Sequence, residues 1–262
     1  MLLKKLPITS NGSRNIRKLT SPWFDKSRFA RLTWRKKSQA GRTHSGRISL
    51  WTKGSLKTKL ILPRINYQTR SRALSFITTF RLIPFQNKLV ALSFTASGGM
   101  SYIPTTEHFQ IFDLLYYAFR TPTVRTQDFW KHPKLFMLYE IKRLSSISLL
   151  ELTPGLGIQY VRSSGSSAKL VHFDLNQHTA LIKLPSGVRK LFSIYSLASL
   201  GAVSLAEKKY VTNTKAGYWK TYGKKSIVRG VAMNPIDHPH GGRTKAIKYP
   251  RTPWGKTTKF KK

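Results

Sequence analysis

The chain has 262 residues, with 47 Lys and Arg against 9 Asp and Glu, for a formal net charge of +38. Self-repulsion on that scale excludes an ordinary soluble enzyme working without a polyanion to neutralise it. The 40% hydrophobic share excludes a basic tail disordered throughout.

Charge is concentrated at the two ends. Residues 1–72 carry 19 basic and 1 acidic side chain, residues 208–262 carry 15 and 1, and the 135 residues between them carry 13 and 7. That distribution describes a globular core with two nucleic-acid-binding arms. Zero cysteines exclude disulfides and Cys-ligated zinc. No apolar stretch approaches the ~20 residues of a spanning helix. No long amphipathic helix offers a cationic face to a membrane surface.

The N-terminal MLLKKLPITSNGSRNIRKL is basic, contains serine and is free of acids until Asp25. A mitochondrial presequence has that character, but the basic pattern runs unchanged to Arg72, which favours a retained RNA-contacting arm. Residues 1–56 therefore read as an extended, mostly irregular arm. In it Lys36, Lys37, Arg42, His44, Arg47 and Lys53 alternate with Gly41, Gly46, Gly54, Trp34 and Trp51. Glycine lets a backbone approach phosphate closely, and aromatic rings stack or anchor.

From Lys57 the pattern turns strand-like. KTKLILPRI, RALSFITTFRLIP, KLVALSFT and GMSYIPT are short β-branched and aromatic runs bounded by Asn87, Gly98-Gly99 and prolines. They place a small β-barrel over 57–130. Within it HFQIFDLLYYAFR is expected as one helix of about three turns, with Phe109, Phe112, Leu115, Tyr116 and Phe119 on one side for core or inter-protein packing. A second β unit over 131–205 is read from SSISLLEL, AKLVHFDL, TALIKLP and VRKLFSIYS, separated by PGLG, RSSGSS, NQH and PSG turn signals. The chain then returns to a basic arm, 206–262, with Lys224, Lys225, Trp254 and Lys256 among its candidate contacts.

The most informative stretch lies in that arm. Gly230 to Gly242 reads GVAMNPIDHPHGG, with two prolines, three glycines and two histidines. Pro235 and Pro239 forbid a regular helix, and the composition suits a stiff loop shaped to something outside the protein. Asp237, His238 and His240 invite an enzymatic reading. Ser226 is the nearest serine, however, and no nucleophile elbow surrounds it. A His-x-His pair supplies two zinc ligands where three or four are needed. Contact with RNA fits the residue types better. Imidazoles donate, accept and stack, and Asn234 can read a base edge or a 2′-hydroxyl. Gly241 and Gly242 are expected to turn N–H groups toward phosphate, with Arg229, Arg243 and Lys245 neutralising it. Asp237 is expected to brace the loop through a following backbone N–H.

This loop is similar to MNPVDHPHGG, the signature of the universal large-subunit ribosomal protein L-two family. AGRTHSGRI resembles the family's SGGRNNNGRIT-type segment, RSSG at Arg162 to Gly165 resembles RSAG, LPSGVRK resembles LPSGEMRK, and TPWG at Thr252 to Gly255 matches the closing segment. The resemblance implies a mainly β fold of an oligonucleotide-binding-like barrel followed by an SH3-like one, with long basic irregular arms. It implies a structural, non-enzymatic constituent of the large ribosomal subunit. The signature loop would reach toward the peptidyl-transferase region, where a histidine, here His238 or His240, matters. Implied partners are large-subunit rRNA, other large-subunit ribosomal proteins and a bridge to the small subunit, with no membrane and no small-molecule substrate. No cofactor or protein-bound metal is expected, and Mg2+ would be held by the surrounding rRNA. The family's GGEGR-like stretch after HGG is shortened here to GGRTK.

Enrichment in Phe, Leu, Tyr, Ser and Lys, together with a contracted first barrel, resembles an organelle-encoded copy. The expected place is a mitochondrial ribosome, ahead of a plastid or the bacterial cytoplasm. The rival reading is a free-standing RNA-binding assembly or processing factor.

Overall fold

The computed structural model describes residues 2–20, 30–35, 37–54, 61–68, 74–83, 86, 88–115, 135–243, 247 and 249–258. The chain divides into two compact units, one of residues 1–36 and 59–215 and the other of residues 37–58 and 216–262.

The larger unit is mainly β. Its N-terminal stretch carries two short antiparallel ladders. Strand β1 (Leu2–Lys5) pairs with β2 (Arg17–Thr20), and β3 (Thr33–Arg35) pairs with β4 (Ile61–Pro63). A four-stranded sheet follows, built from β5 (Ser75–Ile83), β6 (Lys88–Thr95), β7 (Met100–Pro104) and β8 (Leu114–Leu115), in the order β7-β6-β5-β8. Strand β6 reads KLVALSFT, a near-continuous apolar run, and it is buried on both faces. Val90 and Leu92 pack with Leu62, Ile83 and Tyr102, while Ala91 packs with Ile77 and Phe109.

The remaining strands are β9 (Phe136–Met137), β10 (Ser146–Ser148), β11 (Leu150–Glu151), β12 (Ile158–Tyr160), β13 (Ala168–Asp174), β14 (Thr179–Lys183), β15 (Arg189–Ser193) and β16 (Leu197–Leu200). Six of them form a sheet in the order β15-β14-β13-β10-β16-β9, and β11 pairs with β12. Period-2 alternation sends Ile147, Leu170, Ala180, Ile182 and Phe192 inward onto Leu138 and Ile141. The Thr105 and Ser204 hydroxyls, 2.6 Å apart and both buried, join the end of β7 to the segment after β16.

Two hairpins share one turn geometry. At Thr95–Gly99 and at Leu184–Val188 the fourth residue is a glycine at φ +83° and +90°, and its N–H bonds the first residue's carbonyl at 2.9 Å in each. This is the three-residue loop that ends in a left-handed residue, the conformation glycine adopts most cheaply.

The helix expected over 108–120 does not form in its described part. Phe112 has φ +69°, its N–H bonds the Ile77 carbonyl at 2.8 Å, and the Ile77 N–H bonds Asp113 at 3.0 Å. Leu114 and Leu115 then join β5 as β8. Pairing with an existing strand edge overrides the helical periodicity, and the expected stripe is split, with Phe109 buried and Phe112 77% exposed. Tyr116 and Phe119 lie outside the described residues.

Candidate nucleic-acid interface

The smaller unit draws residues 37–58 and 216–262 into one body. It carries 17 basic side chains against a single acid, Asp237. Among its described residues no apolar side chain is buried, and the one buried side chain is His238, at 8% exposure. Hydrogen bonds between backbones hold it together. The Gly54 N–H bonds the Gly223 carbonyl at 2.8 Å, the Lys225 N–H bonds Thr52 at 2.9 Å, and Lys53 bridges Lys224. Three of the expected contact lysines, Lys53, Lys224 and Lys225, are thereby brought side by side. The ammonium of Lys224 lies 4.3 Å from the centroid of Trp219, on the only α-helix of the described residues, α1 (Ala216–Thr221).

Two hairpin tips in this unit repeat the turn described above. In Thr43–Arg47 and Thr252–Lys256 the glycine N–H bonds the threonine carbonyl at 3.0 and 2.9 Å, and Gly46 and Gly255 have φ +78° and +82°. The tips present His44 and the 62%-exposed Trp254, followed by the exposed Arg47 and Lys256. Arg42 is exposed at the base of the first hairpin, where it bridges Ile48.

The signature loop is closed on itself. The Met233 N–H bonds Gly230 at 3.1 Å, Asp237 and His238 both donate to the Asn234 carbonyl, Gly241 donates to His238 at 2.8 Å, and Gly242 donates to Met233 at 3.3 Å. The expectation that the Gly241 and Gly242 N–H groups face phosphate is thus corrected, because both are used within the loop. What these glycines supply is closeness. A Cβ on Gly241 would overlap the Asn234 carbonyl, and one on Gly242 would lie 2.7 Å from Pro235 Cγ. The expected brace by Asp237 is corrected too. Among the described residues its exposed carboxylate accepts no following N–H, and backbone turns set the shape instead.

The two histidines are fixed by what they accept. The His240 N–H donates to His238 Nδ1 at 3.0 Å, so His238 is neutral with its proton on Nε2. Its ring lies against Gly230, where a Cβ would sit 2.6 Å from Nδ1 and 2.7 Å from Cε1. The Arg251 N–H donates to His240 Nε2 at 2.7 Å, and the two rings tilt together with centroids 4.5 Å apart. Partial desolvation, then the charges of Arg243 and Arg251, hold the His240 pKa below its ordinary value. Each imidazole keeps one nitrogen for an outside partner. Among the described residues no three metal-donor side chains gather, here or elsewhere.

Arg229, Asn234 and Arg243 stand exposed around the loop, and Lys245 lies outside the described residues. Arg251 joins the site although sequence reasoning had not selected it. Its position beside TPWG was the available signal.

Arg162 belongs to the larger unit, where its guanidinium sits 5.0 Å over the Tyr67 ring. It lines a cavity of about 400 Å³ together with Trp34, Arg64, Tyr67 and Lys88. Burial, then the charges of Arg162 and Lys208, lower the Lys88 pKa. Sequence reasoning missed Lys88, because an isolated lysine at a strand start carries no signal of the cations folded around it.

The model of the family described as Ribosomal Proteins L2, C-terminal domain, matches residues 133–255. The chain is similar to the large ribosomal subunit protein uL2 of Hyphomonas neptunium, with 32% identity over 99% of this chain and 92% of the relative. It is 34% identical to the large ribosomal subunit protein uL2c of Psilotum nudum, over 87% of this chain and 80% of that one. Against the uL2 of Brucella ovis the identity is 49% over 43% of this chain and 41% of the relative. Matches over nearly the full length at this identity, with a mainly β fold and the MNPIDHPHGG loop in place, establish that this chain belongs to the uL2 family of large ribosomal subunit proteins.

Proposed function

We propose that this protein is a structural, rRNA-binding constituent of the large ribosomal subunit, whose smaller unit completes its folding on rRNA. One observation carries the reading: a body with 17 cations and one acid whose described residues bury no apolar side chain. Burial of apolar surface is what ordinarily offsets chain entropy. Phosphate contact, with release of the counterions held by the RNA, supplies the missing free energy here.

In this reading Arg42, Arg47, Lys53, Lys224, Lys225, Arg229, Arg243, Lys245 and Lys256 neutralise phosphates. His44 and Trp254 present rings to unpaired bases from the hairpin tips. Asn234 and the free nitrogens of His238 and His240 contact nucleotides at the loop surface, and Gly241 and Gly242 keep that surface tight. Arg162 acts from the larger unit. The oligonucleotide-binding-like part spans 57–130 and the SH3-like part 131–205, between arms 1–56 and 206–262. Support for the peptidyl-transferase region and contact with the small subunit follow from the loop's likeness to the family signature. A mitochondrial ribosome is the compartment we infer from residue usage and the contracted first barrel, within the broader class of bacterial-type or organellar ribosomes.

Sedimentation in high salt tests the assignment. The chain should travel with large subunits, and a chain that stays in the free fraction refutes it, as a processing factor would. Arg229→Ala with Arg243→Ala should lower occupancy, and full occupancy of the double variant refutes the role given to those two residues.

A further inference from the structure

The register of the six-stranded sheet places three cations in one cross-strand row. Lys169 on β13 pairs with Lys183 on β14, which pairs with Arg189 on β15. Directly paired residues point to the same face, and all three are exposed while their neighbours Ala168, Leu170 and Ile182 are buried. Adjacent strands lie about 4.8 Å apart, so the row spans about 10 Å. Like charges directly opposite each other destabilise a sheet. Among the described residues no carboxylate lies within ion-pair distance of any of them. The row therefore costs the free protein stability that an external anion would restore.

The next row on the same face has a different character. His172 pairs with Leu181, which pairs with Leu191, and Leu191 is 61% exposed. On β14 and β15 two residues separate the rows, about 6.6 Å, while on β13 a β-bulge between Leu170 and His172 makes the interval three residues and brings His172 opposite Leu181. A cation row beside an imidazole, the half-buried Leu181 and the exposed Leu191 matches a nucleic-acid strand crossing the sheet, with phosphates on one row and sugar and base edges over the other.

We infer that Lys169, Lys183 and Arg189 form an RNA-backbone site on the SH3-like sheet, crossing β13, β14 and β15 and holding about two or three successive phosphates. The inference rests on the rRNA-binding reading above, but it assigns a surface that neither the signature loop nor the arms supply.

The test uses the full chain and a bacterial-type large-subunit rRNA transcript, with affinity followed across salt concentrations. Lys183→Gln with Arg189→Gln should lower the slope of log affinity against log salt by about 1.4 to 1.8. Over a tenfold rise in salt the variant should thus lose about 25- to 60-fold less affinity than the parent. The free variant should also melt higher than the parent, since the repulsion is relieved. Lys183→Glu should raise the melting temperature further and weaken binding more, a divergence that a packing role would not produce.

An unchanged slope with intact rRNA binding overturns the site while leaving the function standing, and it would leave the row to an acidic polypeptide. A parent chain that fails to bind the transcript at all overturns the rRNA reading itself. A lower melting temperature in both variants shows the row to be structural and also overturns the site.

Discussion

Gly230→Ala isolates the role of the signature loop's shape. The added Cβ would lie 2.6 to 2.8 Å from Nδ1, Cε1 and Cγ of His238, the one buried side chain among the described residues of the smaller unit. Gly230 is not among the positive-φ residues, so the backbone accepts alanine and the conflict is with the imidazole alone. The ring must swing away, and the His240 N–H then loses its acceptor at 3.0 Å. Overpacking costs about 1–3 kcal/mol and an orphaned donor about 1–3 kcal/mol. A combined loss of about 2–6 kcal/mol corresponds to a roughly 30- to 20,000-fold weaker complex.

The assay is a titration of the full chain against large-subunit rRNA at fixed salt. The free protein's melting curve should not move, because the loop gains its order from RNA. His238→Ala removes the obstacle, so the double variant should bind no worse than His238→Ala alone, a non-additive cycle. Gly46→Ala is the control. It adds left-handed strain at φ +78° with nothing within 4 Å and should cost only about 1–2 kcal/mol. Additive losses in the cycle would refute the steric argument, as would a Gly230→Ala complex as tight as the parent.

Three further outcomes follow from the same geometry. Trp254→Ala should weaken rRNA binding by about 1–3 kcal/mol without altering the free protein's melting curve; an unchanged affinity removes that exposed ring from the interface. Leu170→Ala, at a fully buried position in the core of the six-stranded sheet, should lower urea stability by about 2–5 kcal/mol, and a loss below 1 kcal/mol would contradict that packing. In the closed loop without RNA, His240 should titrate below the ordinary imidazole value near 6.5, while phosphate contact acts against that shift. Its neutral form accepts the Arg251 N–H, so this contribution is full above that value and fades as pH falls through the lower closed-loop pKa. Histidine-selective NMR reads it, and a value raised above 6.5 would refute the assignment.

Much of the larger unit was legible because its signals are local. Alternating or near-continuous apolar runs gave β5, β6, β7, β13, β14 and β15, and PSG or SGG marked the turns between them. Strands β1, β2, β3, β9, β12 and β16 were missed, being segments of two to four residues whose pairing partners are not legible locally. The helix over 108–120 failed in its described part because local periodicity cannot register the open edge of β5 that captures Leu114 and Leu115. For the interface, residue types were enough to select His238, His240 and the flanking arginines. The use of the Gly241 and Gly242 N–H groups inside the loop was not legible, nor was the meeting of Gly54 with Gly223, since both depend on closures across the chain. The cation row of Lys169, Lys183 and Arg189 likewise exists only once the strand register is known.

Amide hydrogen exchange on the full chain, with and without large-subunit rRNA, bears most directly on the claim that the smaller unit takes its order from RNA. Residues 230–242 and the Gly54–Gly223 contact should exchange nearly freely without rRNA and become protected with it, while the Leu170 and Ile182 amides stay protected in both. Protection of the loop equal to that of the sheet in the RNA-free chain would contradict the account.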